Sequence, residues 1–364
     1  MAKTNQYCVA ENWGEGFIEH HESRKISFSG LPGNVWKVPA HNKDANLWIA
    51  KVAGSIKTLA EAQAIVDVEV TAAQAAWDAL PDAEKAPTWA TQNSMNTGRQ
   101  ALSGAGTNTA ALAFGGEPDG ARTETYNGTS WTEVNDLNTG RLAMAGAGTN
   151  TAALAFGGNP PSPGSALTES WNGANWTNVN TLNTGRKRLS GAGTQTSALA
   201  FGGRDPAGPP FFAAQTELWN GTNWTEVNNL NTGQQEMAGC GANNTAALVF
   251  GGQPNNVESW NGTNWTAVNN MNVSRLKLAA AGTNTAALGF GGDAPSSYVA
   301  TELWNGTNWT NVNNLNVGRY YLGGCGSQTA ALAFGGVESG SGPASTAVTE
   351  SFTFSGGIST IESS

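Results

Sequence analysis

Histidine is missing from most of this chain. Its three copies, His20, His21 and His41, all precede residue 42 of 364. The rest therefore has no imidazole for metal ligation or general-base chemistry. The adjacent pair His20–His21 is also poorly spaced for holding one metal ion on one face. Charge is scarce as well: 12% of residues are charged and the net charge is −9. A nucleic-acid binder would carry a basic face, so that class is excluded. Three cysteines are too few for a disulfide scaffold. No apolar stretch approaches the ~20 residues that span a bilayer. The opening MAKTNQYCVAENW has no apolar run behind its single Lys, which speaks against a secretory signal. What the chain does have is 47 glycines and 14 tryptophans with abundant Asn and Thr. A disordered chain would lack the tryptophans. The mixture suits an all-β protein of short strands and tight turns.

The dominant signal is repetition. LWNGTNWTEVNNLNTG at 218–233 returns at 303–318 with two changes, and looser copies sit at 125–140, 170–185 and 259–274. The Gly-Gly pairs Gly115–Gly116, Gly157–Gly158, Gly202–Gly203, Gly251–Gly252, Gly291–Gly292 and Gly335–Gly336 follow one another at 42, 45, 49, 40 and 44 residues. Within 140–184 four strands can be read: AMAGAGT, TAALAFGG, LTESWN and NWTNVN. A Thr-Asn turn joins the first two, and an Asn-Gly turn, tolerant of φ > 0, joins the last two. That turn sets two large aromatics opposite each other as a cross-strand pair. Four strands per period of this length describe one blade of a β-propeller. The first strand is mostly GAG, as expected near an axis with little room.

Six copies predict a six-bladed propeller over 88–354. The sixth copy ends without a fourth strand, and TWATQNSMNTGR at 88–99 can supply it. Trp89 then takes the place held elsewhere by Trp131, Trp176, Trp224, Trp265 and Trp309, and no sheet edge is left unpaired.

An Arg opener, Gly-Gly after the second strand, a Tyr or Trp and then a second Trp together resemble the kelch repeat. The resemblance covers 89–354. It implies the propeller fold, but not one function, since kelch propellers serve many.

Alternating strands sort the loops onto two faces. The turns GTNT and NGTN make one nearly uniform face. The links between second and third strands make the other, and they differ in every blade. Function tends to reside on such loops. Binding candidates there are Phe211 and Phe212, two adjacent aromatics in a long link, with Arg204, Tyr298, Asp119 and Asp293. The openers Arg99, Arg141, Arg186, Arg275 and Arg319 are expected around the same face. So are Glu124, Glu169, Glu217, Glu258, Glu302 and Glu350, read as structural ion-pair partners of the openers. Gln234 replaces the opener in blade four.

Catalysis in a six-fold repeat requires a break in symmetry. The acids outside the pattern, Asp119, Asp205, Asp293 and Glu236, are scattered over different blades. No enzyme activity, cofactor or metal is expected. The copper oxidases built on kelch propellers need His and Tyr ligands, and no His follows position 41. Cys240 and Cys325 stand at equivalent first-strand positions two blades apart, too far for a disulfide.

Residues 1–57 read as a β-rich anchor segment with tryptophans it can hardly bury alone. A helix is expected over 58–80, with a Thr58–Glu61 capping box and an apolar stripe through Leu59, Ala62, Val66, Val70, Ala73, Trp77 and Leu80. Residues 81–87 read as a linker and 355–364 as a tail. The alanine-rich helix and near-identical Asn/Thr-rich blades resemble structural proteins of tailed phages of marine bacteria. This implies a virion protein made in the host cytoplasm. Residues 1–80 would bind other virion proteins, the propeller would face a host receptor or glycan, and a homo-oligomer is allowed. An intracellular interaction scaffold and a secreted glycan-active enzyme are the rival readings.

Overall fold

The computed structural model describes residues 87–354 except 161–163, 206–210, 295–297 and 341–343, together with the backbone of six short strands between residues 7 and 57. The chain divides into a unit of 87–354 and a unit of 1–86 with 355–364. In the latter, Tyr7–Cys8 pairs with Phe17–Ile18 and Ile56–Lys57, and Val35–Pro39 pairs with Ile26–Ser27 and Asn46–Ala50. The helix expected over 58–80 lies outside the described residues. No helix occurs among the described residues, so none there is long and apolar enough to cross a membrane.

Residues 87–354 form six four-stranded antiparallel sheets, the blades of a β-propeller. Blade one consists of Ser103–Gly106, Ala111–Phe114, Thr123–Tyr126 and Trp131–Val134. Blades two to five repeat that order within 145–179, 190–227, 238–267 and 279–312. Blade six takes Gly323–Gly326, Ala330–Phe334 and Thr349–Thr353 from the end of the chain. Its fourth strand is Thr88–Gln92, antiparallel to the third, with Trp89 opposite Phe352. The ring thus closes as the repeat count requires.

Burial explains the sequence of each strand. The second strand, ALAF or a close variant, is covered on both faces by neighbouring blades, and its residues are buried throughout. A strand buried on both faces reads as a continuous apolar run rather than an alternation. The fourth strand buries only its leading Trp. Between strands three and four the Asn side chain holds the turn: Asn127 Oδ1 accepts from the amides of Thr129 and Ser130 at 2.9 and 2.8 Å. The following Gly128 has φ 92°, open to glycine without strain.

Adjacent blades interlock through one recurring aromatic contact. The fourth-strand Trp packs on the second-strand Phe of the preceding blade, with ring centroids 4.8–5.1 Å apart at Trp131–Phe334, Trp176–Phe114, Trp224–Phe156, Trp265–Phe201, Trp309–Phe250 and Trp89–Phe290. The same indole donates to a third-strand Thr of that blade, as Trp176 does to Thr123 at 3.1 Å and Trp89 to Thr301 at 3.1 Å. Blade four has Val257 at this place, so Trp309 donates to the Asn269 carbonyl instead.

The same Phe also limits the first strand. Its small residues make room for the neighbouring blade: a Cβ on Gly104 would lie 2.5 Å from Phe334, and one on Gly146 2.5 Å from Phe114. The neighbouring first strand crowds them too: a Cβ on Gly324 would lie 2.9 Å from Ala279 Cβ.

Trp89 is 6% exposed and Trp224 5%, in equivalent settings. Truncating a buried Trp costs ~3–5 kcal/mol. Trp89→Ala and Trp224→Ala should therefore lower the urea midpoint of the propeller by similar amounts. A Trp89→Ala protein as stable as the parent would contradict closure through residues 88–92.

Candidate functional site: the variable-loop face and its axial mouth

The recurring Arg and Glu residues come first because they decide which charges remain for a ligand. Arg99, Arg141, Arg186, Arg275 and Arg319 are 0–1% exposed. Each reaches a Glu of the blade that follows it, at 3.0, 2.9, 2.5, 2.5 and 2.8 Å for Glu124, Glu169, Glu217, Glu302 and Glu350. The guanidinium also donates to main-chain carbonyls, as Arg141 does to Gly157 and Leu167 at 2.8 Å. Desolvation lowers the pKa of Arg99, Arg141, Arg275 and Arg319, and the Glu partners oppose it. The openers are therefore the structural ion-pair partners that their recurrence with Glu predicts, and not an exposed cationic ring. They are internal clips.

The clip has two further parts. The Glu accepts from the linker between blades: Asn138 N donates to Glu169 at 2.7 Å, Asn231 N to Glu258 at 2.9 Å and Asn316 N to Glu350 at 2.7 Å. The opener's carbonyl accepts from the second glycine of the previous Gly-Gly pair, as Gly116 N to Arg141 O at 2.9 Å and, closing the ring, Gly336 N to Arg99 O at 2.7 Å. The six pairs hold φ of 61–71° and 84–105°. A Cβ on Gly116 would come within 2.6 Å of the Gln100 carbonyl, so only glycine fits. In blade four Gln234 keeps the main-chain half, accepting from Gly203 N at 2.8 Å. Its amide atoms have no partner among the described residues, and Glu258 faces no cation there.

The variable links lie beside the axis. Each begins by bridging the residue after an opener, as in Gln100–Glu117, Leu142–Asn159, Lys187–Arg204, Gln235–Gln253 and Leu276–Asp293. In the blade-three link Phe211 is 51% exposed, the one large exposed apolar side chain among the described residues, and Arg204 lies 5.7 Å above its ring. Phe212 is half-buried, and its backbone bridges Arg204. Asp119 pairs with Arg122 at 3.2 Å, and Arg122 also holds the outer-strand Glu133 at 2.7 Å. Asp119 thus belongs to blade one's own loop. Tyr298, half-buried, places its ring 5.8 Å from Tyr320.

The feature the repeat pattern hid sits two residues after each opener. Ala101, Ala143, Arg188, Glu236, Lys277 and Tyr321 all have φ of 52–59°, a left-handed conformation uncommon outside glycine. Their backbones form a closed circle: the amide of Ala143 donates to Ala101 O, Arg188 to Ala143, Glu236 to Arg188, Lys277 to Glu236, Tyr321 to Lys277 and Ala101 to Tyr321, at 2.8–3.1 Å. This circle rims a cavity of about 160 Å³ on the axis.

The side chains on that rim are not symmetric. Arg188 Nη1 lies 2.9 Å from Glu236 Oε1, and the Tyr321 hydroxyl donates to the same oxygen at 2.6 Å. Lys277 Nζ bonds Asp293 at 2.9 Å and stands 5.3 and 5.0 Å from the ring centres of Tyr320 and Tyr321. Burial, and then the Glu236 hydrogen bond, push the Tyr321 phenol above its usual range. Glu236 and Asp293, read as scattered, are thus brought together at the axis through Lys277 and Tyr321, because blades four to six converge there. Cys240 and Cys325 are free and buried, with thiols pushed up to about 12 by burial.

Fold and face together define a six-bladed β-propeller with a uniform body and one irregular face. No protein-family model matches the chain, and no curated protein matches it in sequence.

Restoring the missing clip tests its energetics. Hydrogen bonds to charged groups contribute ~1.5–3 kcal/mol, and Glu258 is already buried, so Gln234→Arg should raise the unfolding free energy by roughly that amount and the denaturation midpoint with it. A lower midpoint would mean that the blade-four pocket has no space for a guanidinium.

Proposed function

We propose that this chain is a phage virion structural protein whose kelch-like propeller is displayed for adhesion to a host surface. One observation carries the reading. The backbone enters the propeller at Thr88 and leaves it at Phe354, next to each other between the third and fourth strands of blade six. Phe354 N donates to Thr329 O, in that blade's turn between first and second strands, at 2.8 Å. This is the side of the uniform turns, opposite the variable links and the axial mouth. An attachment segment at the N-terminal end and a ligand-binding face on the far side suit a module held by one side and displayed by the other. The kelch character rests on the Arg opener, the Gly-Gly pair and the paired aromatics, which here serve the inter-blade clip.

Adhesion rather than catalysis suits the mouth. Glu236 and Asp293 are each held by a neighbouring cation, an arrangement for recognition rather than for moving a proton. The exposed Phe211 beside Arg204 offers an apolar contact of the kind that binding surfaces use.

Two experiments test the two halves. Particles assembled with a chain lacking residues 1–80 should fail to incorporate the propeller, measured by immunoblot of purified virions; normal incorporation would sink the anchor role. Replacing 205–213 with a short Gly-Ser turn should leave the melting temperature near that of the parent and reduce adsorption to host cells. Undiminished adsorption after the same replacement in all six links would remove the variable face from the reading.

A further inference from the structure

The six rim positions make an internal control. All share one backbone conformation and one hydrogen-bonded circle, yet blades one and two need only Ala101 and Ala143 there. The fold therefore does not require Arg188, Glu236, Lys277 or Tyr321. The chain places a long polar side chain at a left-handed position four times in succession, although it uses glycine for positive φ at 23 other described places. These side chains point to a ligand.

Their chemistry narrows the class. Two cations, Arg188 and Lys277, face two carboxylates, Glu236 and Asp293, at bonding distance. The cluster has no charge left over, so it offers nothing to recruit a phosphate, a carboxylate or an ammonium. Beside it stand three tyrosines in a chain, Tyr298–Tyr320 at 5.8 Å and Tyr320–Tyr321 at 5.7 Å, all half-buried. Arg188, Lys277 and Asp293 keep side-chain exposures of 33, 19 and 33%, so their remaining hydrogen-bonding capacity is open to solvent. The cavity, about 160 Å³, takes one small ring and not a strand or helix.

A neutral ring with hydroxyls on its rim and C–H groups on its faces matches what lines the cavity: the ring of Tyr321 for the C–H groups, and Arg188, Glu236 and Lys277, fixed in place, for the hydroxyls. Tyr298, Tyr320 and Asp293 stand at its margin. We propose that the axial mouth between blades three and six binds one neutral sugar residue of a surface glycan. This deepens the adhesion reading and rests on it for the source of the sugar.

Saturation-transfer NMR on the full chain with a panel of neutral and acidic monosaccharides, followed by titration calorimetry, tests this without cells. At least one neutral hexose or deoxyhexose should bind. Lys277→Ala and Tyr321→Ala should each weaken it about tenfold or more, a loss of ~1.4 kcal/mol. Both should melt within a few degrees of the parent, because Ala101 and Ala143 already show that the rim tolerates Ala. Asp119→Asn, in the blade-one loop, should bind as the parent does. Binding of acidic sugars alone, binding indifferent to both rim substitutions, or no sugar binding while particles still adsorb would each overturn the proposal. Sugar binding that depends on the rim, in particles whose adsorption ignores it, would support this site and count against the adhesion reading.

Discussion

Everything in the propeller depends on the contact between one blade and the next. A four-stranded sheet of four-residue strands has two apolar faces and no helix to cover them, so each blade is stable only between two others. The chain meets this with a Trp on the neighbour's Phe at all six interfaces, and at five of them each with an indole on the neighbour's Thr and with an Arg that holds a Glu and main-chain carbonyls. Closing the circle matters because an open array would leave two apolar faces exposed. Residues 88–92 remove that exposure by completing blade six from the other end of the chain.

The buried Arg–Glu pairs fit this role better than a role in raw stability. Taking both charges out of water is costly, and the attraction between them roughly repays it. What the pair adds is directional: a guanidinium aimed at one carboxylate and two carbonyls accepts a single arrangement of neighbouring blades. Blade four, with Gln234, keeps the main-chain bonds and the Trp–Phe contact, so the ring tolerates one missing charge. Redundancy of this kind is expected where each interface is one of six.

A body fixed by its interfaces leaves its loops free to differ. The links between second and third strands meet the inter-blade linkers through main-chain bonds, as Leu137 N to Ala121 O and Arg141 N to Gly120 O, which leave the side chains free, and their sequences diverge while the strands beside them barely change. The rim is the other place of divergence, for a related reason. Its backbone circle is made by amides and carbonyls alone, so the side chains there can change without opening the ring.

Much of the fold was legible in the sequence because its determinants are local and repeated. The Gly-Gly pairs must be glycine where φ is positive and a carbonyl sits where Cβ would be. The Asn-Gly turns need Asn for its side-chain bonds and Gly for its positive φ, and Trp89 carries the closure as the one repeat element standing apart from its unit. The openers could be read as ion-pair partners but not as buried, since burial depends on the next blade folding over them. The small first-strand residues were visible, yet their reason, a neighbour's Phe, lies in another repeat. The rim had a signal, a single column reading Ala, Ala, Arg, Glu, Lys, Tyr two residues after the opener, in the midst of otherwise similar strands. Its meaning could not be read from sequence. Residues about 40 apart become neighbours only when six blades converge on one axis, and that convergence places Glu236, Lys277, Asp293 and Tyr321 at one mouth.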